Sequence, residues 1–338
     1  MDSNCISLAD SSLEERIQAI PKTETHLHVE GALPYELLRE LDPERFPENP
    51  FFRAADYRFP NFVEFETLLI DHAVAWFTGP DRYHEACKMI FADLAARNVK
   101  YLETSLHLPM IEFIGADGHE LIHAIKSAAP EGLEVKVIGG LTRDSYTETM
   151  GPIIETLHEW DDLDGIDLHG QEWLALEDWS PLLWRRCADA GKILKAHAGE
   201  FAGPENIVDV LDKLGARRIQ HGARAIEDED LVARLSDEGV VLDMCPISNE
   251  KLQVIPRLEN HPIRFFHEAG IACTVNTDDP LCFSNTLNDE YIALSNRVGL
   301  ADNQIAEIAK NGFRYARMDE SRKRKYMAEI DALLMDRS

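Results

Sequence analysis

The chain has little cysteine, and none of it is paired by spacing. Its six cysteines (Cys5, Cys87, Cys187, Cys245, Cys273 and Cys282) form no CxxC and no framework pattern, which excludes a disulfide scaffold and a cysteine-built zinc site. Apolar neighbours, as in Val-Leu-Asp-Met before Cys245, predict buried, reduced thiols in a cytoplasmic protein. Basic residues are also scarce. The balance is 34 Lys and Arg against 61 Asp and Glu, a net charge of -27. Such a surface repels phosphate backbones and anionic lipid, so neither a nucleic-acid nor a membrane partner is expected. The acidic residues are dispersed, as on an ordinary solvated surface. No apolar run approaches the roughly 20 residues of a spanning helix, and Met1 to Asn4 open no leader with a basic region and an apolar stretch. No GxGxxG follows the first strand, which argues against a doubly wound dinucleotide-binding sheet. No repeat, low-complexity tract or linker interrupts residues 1–338, and a single domain is expected.

The stretch around which the rest is organised is Lys22-Thr-Glu-Thr-His26-Leu-His28-Val-Glu30-Gly31. It reads as a strand carrying His-x-His, ended by a glycine that lets the chain turn. Alternation along a strand points His26 and His28 to the same face, and two adjacent imidazoles can share a metal ion. Taken alone, such a pair is more often an ordinary polar pair at a strand end.

Further along, residues 1–20 read as an acidic helical lead-in and Pro34–Glu40 as a helix start. Asp42–Pro60 lacks periodicity but interleaves Phe46, Phe51, Phe52 and Phe59, continuing to Phe62 and Phe65. That composition predicts an ordered lid inserted after the first strand. Apolar residues at helical spacing predict helices over 61–77 and 81–97. Strands and helices then alternate, with strands expected at 99–105, 134–139, 165–170, 192–197, 217–222, 240–245 and 271–276. Helical segments between them include 204–214, 228–237 and 264–269. Counting the first strand, about eight βα units result, the number that closes a TIM (β/α)8 barrel.

In such a barrel the chemistry gathers at the C-terminal strand ends. Here those ends carry His26 and His28, Gly170, His197, His221 with Gly222, and Asp278 with Asp279. A packing role would place Val, Ile or Leu there. One buried, hydrogen-bonded histidine is common, but histidines on three strand ends with a double aspartate on a fourth make a constellation. Imidazole and carboxylate donors suit zinc, with iron or cobalt behind it.

The segments THLHVEGA (25–32), GIDLHGQE (165–172), KAHAGE (195–200), RIQHG (218–222), DMCPISN (243–249) and TVNTDDP (274–280) resemble, in order, the motifs of the adenosine/adenine deaminase family of the amidohydrolase superfamily. The resemblance runs from about Lys22 to Phe283. It implies a mononuclear metal site at the strand ends, with one Zn2+ per chain held by His26, His28, His197 and Asp278. Glu200 matches the glutamate that passes a proton to ring N1. His221 matches the histidine that orients the attacking water, and Asp279 the aspartate that hydrogen-bonds it. Gly170 matches the glycine whose backbone contacts the purine; His28 and Glu30 also fall on the substrate side. No lysine lies on 165–170 to bridge a second metal.

These residue types suit the displacement of an exocyclic amine from an aromatic ring. The metal makes water a nucleophile near neutral pH, and a carboxyl with a raised pKa protonates the ring nitrogen as aromaticity is lost. The cytidine-deaminase design, H-x-E with P-C-x-x-C, has no counterpart here. The expected activity is hydrolytic deamination of a 6-aminopurine, adenosine or 2′-deoxyadenosine ahead of adenine or an aminofutalosine-type nucleoside. The partner is then a small purine base or nucleoside. Glu30 stands where the nucleoside enzymes carry aspartate, and Cys245–Asn249 leans to the adenine branch, whereas 165–172 leans to the adenosine branch with Gln171 in place of aspartate. Glu103–Leu108 departs from both branches. Amide or ester hydrolysis at the same metal, or a non-catalytic metal-binding descendant, are the other readings. Outside the motifs, His107, His123, His158, His261 and His267 are expected on the surface. His169 is a candidate pocket residue, and Lys192 and Lys195 are expected in charge pairs at the barrel base.

Overall fold

The computed structural model describes residues 11–334; the start of the expected lead-in, and Cys5, lie outside them. Eight strands form one sheet in sequential order: β1 (Lys22–His28), β2 (Val99–His107), β3 (Glu134–Thr142), β4 (Gly165–His169), β5 (Ile193–Ala198), β6 (Arg218–His221), β7 (Val241–Met244) and β8 (Ala272–Val275). Every adjacent pair is parallel. The sheet curls until its edges meet. Asp278 N–H donates to the His26 carbonyl at 3.0 Å, and His28 N–H donates to the Asp278 carbonyl at 3.2 Å. Helices separate the strands, giving the TIM barrel architecture expected from the alternation.

Local chemistry explains where the elements begin. α1 (Leu13–Ala19) starts on a Ser12–Glu15 capping box, which satisfies two otherwise orphaned backbone donors. After α2 (Tyr35–Leu41), α3 (Phe62–Trp76) opens on Asn61, whose side chain accepts from Glu64 N–H. α4 (Pro80–Ala96) opens on Pro80, a residue with no N–H to leave unpaired. Strands β2 and β3 run further towards the site than their sequence suggested, to His107 and Thr142. The helices at 302–315 and 320–334 have no counterpart in the sequence reading. The first packs across β1 and β8, with Gly312 allowing it to approach Thr23.

The phenylalanine-rich segment is ordered, as its composition suggests. Phe46, Phe52 and Phe59 are buried, while Phe51 is exposed. Its only regular piece is one 3-10 turn at Phe51–Arg53. It is tied to the segment after β7 by Phe59 N–H donating to the Lys251 carbonyl at 2.9 Å, and by Lys251 Nζ donating to the Ala54 carbonyl at 2.7 Å. Phe59 and Phe65 pack against Phe283, beside the Asp278–Asp279 turn. No helix of the described residues is long and apolar enough to cross a membrane. The five described cysteines are free and buried.

Candidate metal centre and active site

Strand β1 is not regular. Three steps along it (Glu24 to Leu27) face two along β2 (Leu102 to Thr104), so an extra residue bulges at Thr25–His26 and re-aims the side chains. Both imidazoles turn to one point. His26 Nε2 lies 3.4 Å and His28 Nε2 3.3 Å from Asp278 Oδ1, and His197 Nε2 lies 3.1 Å from His26 Nε2. Ligand atoms of His26, His28, His197 and Asp278 all fall within 4.8 Å of one another.

The outer hydrogen bonds decide what these nitrogens present. His26 Nδ1 lies 2.9 Å from the Asp243 carbonyl, and His197 Nδ1 lies 3.2 Å from the Leu168 carbonyl and 3.3 Å from Asp167 Oδ1. A carbonyl only accepts, so each Nδ1 carries the hydrogen and each Nε2 keeps its lone pair. Two lone pairs 3.1 Å apart beside a carboxylate repel unless a cation sits between them. The donor set therefore fits a divalent metal. His28 shows the same field. Burial pulls its pKa down, but the charges of Asp279 and Asp278 outweigh that and lift it to about 9. Asp278 is in turn held well below the carboxylate range: burial alone raises it, and its bonds to the histidines prevail. Ser248 Oγ donates to Asp278 Oδ2 at 2.7 Å and fixes the carboxylate plane.

Beneath the centre, Lys195 Nζ lies 2.6 Å from Glu103 Oε2, and Arg218 bonds both Asp243 oxygens at 2.7 to 3.1 Å. A buried Lys195 and a half-buried Arg218 thus balance two buried anions, a condition buried charges require. Lys195 forms the expected pair, whereas Lys192 donates to the Trp160 and Leu163 carbonyls.

Above the centre stand the remaining candidates. Glu200 is buried, with Oε2 3.4 Å from His221 Nε2. Burial, and then the charges of Asp278, Glu172 and Asp279, push its carboxyl well above the usual range. Glu172 positions the Glu200 loop by accepting from Glu200 N–H at 3.1 Å and Ala202 N–H at 2.7 Å. Asp279 is buried with no partner for Oδ1, and burial beside Asp278 raises its pKa. His221 (φ 62°) and Asp278 (φ 66°) both sit in the left-handed region. Such strain in non-glycine residues persists only where the surroundings hold it, characteristically at sites. Gly170 shares that conformation, at φ 79° beside Thr142.

Gly31 serves differently from its expected turning role. It lies in a 3-10 turn (Glu30–Ala32) and is not among the left-handed residues. A Cβ there would fall 2.5 Å from Asp279 Cγ, so the glycine makes room for the aspartate. Glu30 is buried, accepting from Tyr83 Oη at 2.7 Å and from His107 N–H at 3.3 Å.

Two histidines expected on the surface join the polar network of the site instead. His107 is half-buried, its Nδ1 2.9 Å from His169 Nε2, and the His169 ring lies 5.3 Å from that of His28. His169 is thus part of the site wall. His261 is buried beneath His221 through Asn249. His123 is exposed, and His158 and His267 are half-buried. Sequence reasoning missed Asp167, Ser248, Asn249 and His261. Asp167 alone left a local signal, a charged residue two before His169 on a strand otherwise apolar.

With this geometry in view, the comparisons with known proteins are direct. A family model described as adenosine deaminase matches residues 21–333. The chain belongs to the adenosine deaminase family. It is 31% identical to an adenine deaminase of Ralstonia pickettii, over 95% of this chain and 97% of that one. Its fold is similar to that of an adenine deaminase from Arthrobacter aurescens, with a TM-score of 0.81 and 25% identity, covering 94% of this chain and all of the other. An amidohydrolase from Burkholderia ambifaria with bound zinc shares the fold at a TM-score of 0.81 and 21% identity, covering 96% of this chain and 94% of the other. As a member of this family the chain is a hydrolytic deaminase acting on carbon–nitrogen bonds, with candidate metal ligands among its histidines and aspartates.

Proposed function

We propose that this chain hydrolytically deaminates adenine to hypoxanthine and ammonia, using one zinc ion held by His26, His28, His197 and Asp278. The bound ion supplies the Lewis acidity that makes water nucleophilic near neutral pH. Glu200, kept protonated by its enclosed and negatively charged surroundings, donates to ring N1 as attack at C6 breaks aromaticity. Asp279, buried with a free oxygen, accepts the proton from the attacking water. His221 orients that water, and the Gly170 backbone, bare of a side chain, lies against the purine.

The observation that carries adenine over adenosine is Glu30. A carboxylate that recognised a sugar hydroxyl would be open to the pocket, yet this one is engaged by the Tyr83 hydroxyl and the His107 N–H. Burial also raises its pKa. The adenine deaminases among the relatives support the same substrate, and the expectation of adenosine yields to it.

The test is ammonia release from adenine, adenosine and 2′-deoxyadenosine, with metal content measured on the same preparation. Adenine is expected to exceed the nucleosides by about 100-fold or more in kcat/KM, the discrimination a misfitted polar pocket gives. Equal or better turnover of adenosine would refute the free-base assignment. Absence of ammonia from all three would refute the deamination of an unmodified 6-aminopurine.

A further inference from the structure

A chain of hydrogen bonds runs from a backbone amide into the site, and its direction is fixed at every link. Ile263 N–H donates to His261 Nδ1 at 3.2 Å. A backbone amide cannot accept, so His261 Nδ1 is bare and its hydrogen resides on Nε2. His261 Nε2 lies 3.2 Å from Asn249 Oδ1, which accepts it. That sets the amide orientation, and Asn249 Nδ2 donates to His221 Nδ1 at 3.1 Å. With Nδ1 accepting, the His221 hydrogen sits on Nε2, pointing to Glu200 Oε2 at 3.4 Å and Asp278 Oδ2 at 3.9 Å.

We propose that His261 and Asn249 are positioning residues that lock His221 as the Nε2–H tautomer, so that it meets the reacting oxygen as a hydrogen-bond donor and not as its base. Among the described residues, the His261 ring nitrogens meet the Ile263 N–H and Asn249 Oδ1. His261 lies between the 3-10 turn Leu258–Asn260 and the helix Ile263–Glu268, buried with Asn249 in the segments that follow β7. One ring nitrogen accepts from the Ile263 amide and the other donates to Asn249, so the imidazole passes the direction of the bond along. The consequence for the site is a division of labour. His221 holds a hydrogen towards the nucleophile, and the proton shed by water goes to Asp279.

The proposal rests on the reading of His221 as part of a deaminase site, but its central claim is read without turnover. Metal-loaded protein labelled with nitrogen-15 in histidine gives the tautomer of each ring from long-range proton–nitrogen correlations, with His221 assigned by its loss in His221→Gln. The expected result is an Nε2–H ring for His221 and for His261. In Asn249→Asp both acceptor oxygens face the histidines, and His221 is expected to carry its hydrogen on Nδ1. His261→Phe removes the directing donor and should lower kcat by about 10- to 100-fold, typical for an outer-shell partner, with KM changed less than about threefold. His261→Gln, which restores a donor to Asn249, should recover most of that loss.

An Nδ1–H ring for His221 in the parent protein would overturn the proposal. So would a His261→Phe protein, folded by circular dichroism, with unchanged tautomer and kcat. Where a variant fails to fold, the parent spectrum alone still decides the question. A parent protein with the expected tautomers but no activity on any 6-aminopurine would refute the proposed function and leave the relay standing.

Discussion

Replacing Gly31 by alanine puts a methyl group against the Asp279 carboxyl group while leaving every metal donor in place. The added Cβ would overlap Asp279 Oδ1 and lie 2.5 Å from Asp279 Cγ and 2.8 Å from Asp279 Cβ. Carbon atoms in contact sit about 3.5 to 4.0 Å apart, so the carboxyl group must retreat by at least about 1 Å. The backbone cannot absorb that shift freely, because Asp278 is clamped to β1 on both sides by the His26 carbonyl and His28 amide. A misplacement of about 1 Å costs on the order of 100-fold in rate, and overpacking of this kind about 1 to 3 kcal/mol of stability. The expected protein is therefore folded, slightly less heat-stable, fully metal-loaded and about 100-fold slower. Steady-state ammonia release, metal analysis and a melting curve on one preparation test all of this. Asp279→Ala made alongside sets the loss for removing the carboxylate outright. A Gly31→Ala protein with kcat within about threefold of the parent would refute the argument that Asp279 needs that space. Loss of metal together with turnover would show that the strain is passed to Asp278.

Three further outcomes follow from the same geometry. Glu200→Gln should retain metal and lower turnover by about two to four powers of ten, the usual worth of a general acid; near-normal turnover would remove Glu200 from that role. Because Glu200 works only while protonated, activity should be complete below its raised pKa and fall as the pH rises through it. Glu172→Gln removes one of the charges that raise it, so the alkaline limb should move to lower pH, and a limb that stays put would deny the coupling. Ser248→Ala removes the 2.7 Å bond to Asp278. It should weaken metal affinity by about 10- to 100-fold in competition with a chromogenic chelator, and unchanged affinity would mean that the bond does not orient the ligand.

Much of the fold was legible because it is local. Alternating strand and helix periods predicted eight βα units, and each strand was found within a few residues of its expected place. The order of the segment after β1 was legible from phenylalanines spaced too irregularly for a helix yet too apolar for a free loop. The helices at 302–315 and 320–334 went unremarked because they follow the last motif, and their placement depends on the underside of the barrel.

The site divides along the same line. The sequence by itself determined which residue types stand at the strand ends: the His-x-His of β1, His197 and Glu200, His221, and the double aspartate after β8. Period and spacing suffice for that, since a strand end in this fold faces the site. Only the tertiary structure decided how they act. The bulge in β1 turns His26 and His28 on to one point, and carbonyls from β4 and β7 choose the nitrogen that each imidazole presents. Tyr83, more than 50 residues away in sequence, holds Glu30 out of use as a free carboxylate. His261 and Asn249 reach His221 from other segments, and Lys195 and Arg218 meet Glu103 and Asp243 under the floor. These are contacts between chemically committed groups brought from distant strands. A buried polar atom must find its partner wherever the fold supplies one, so its role is written in the packing and not in its neighbours along the chain.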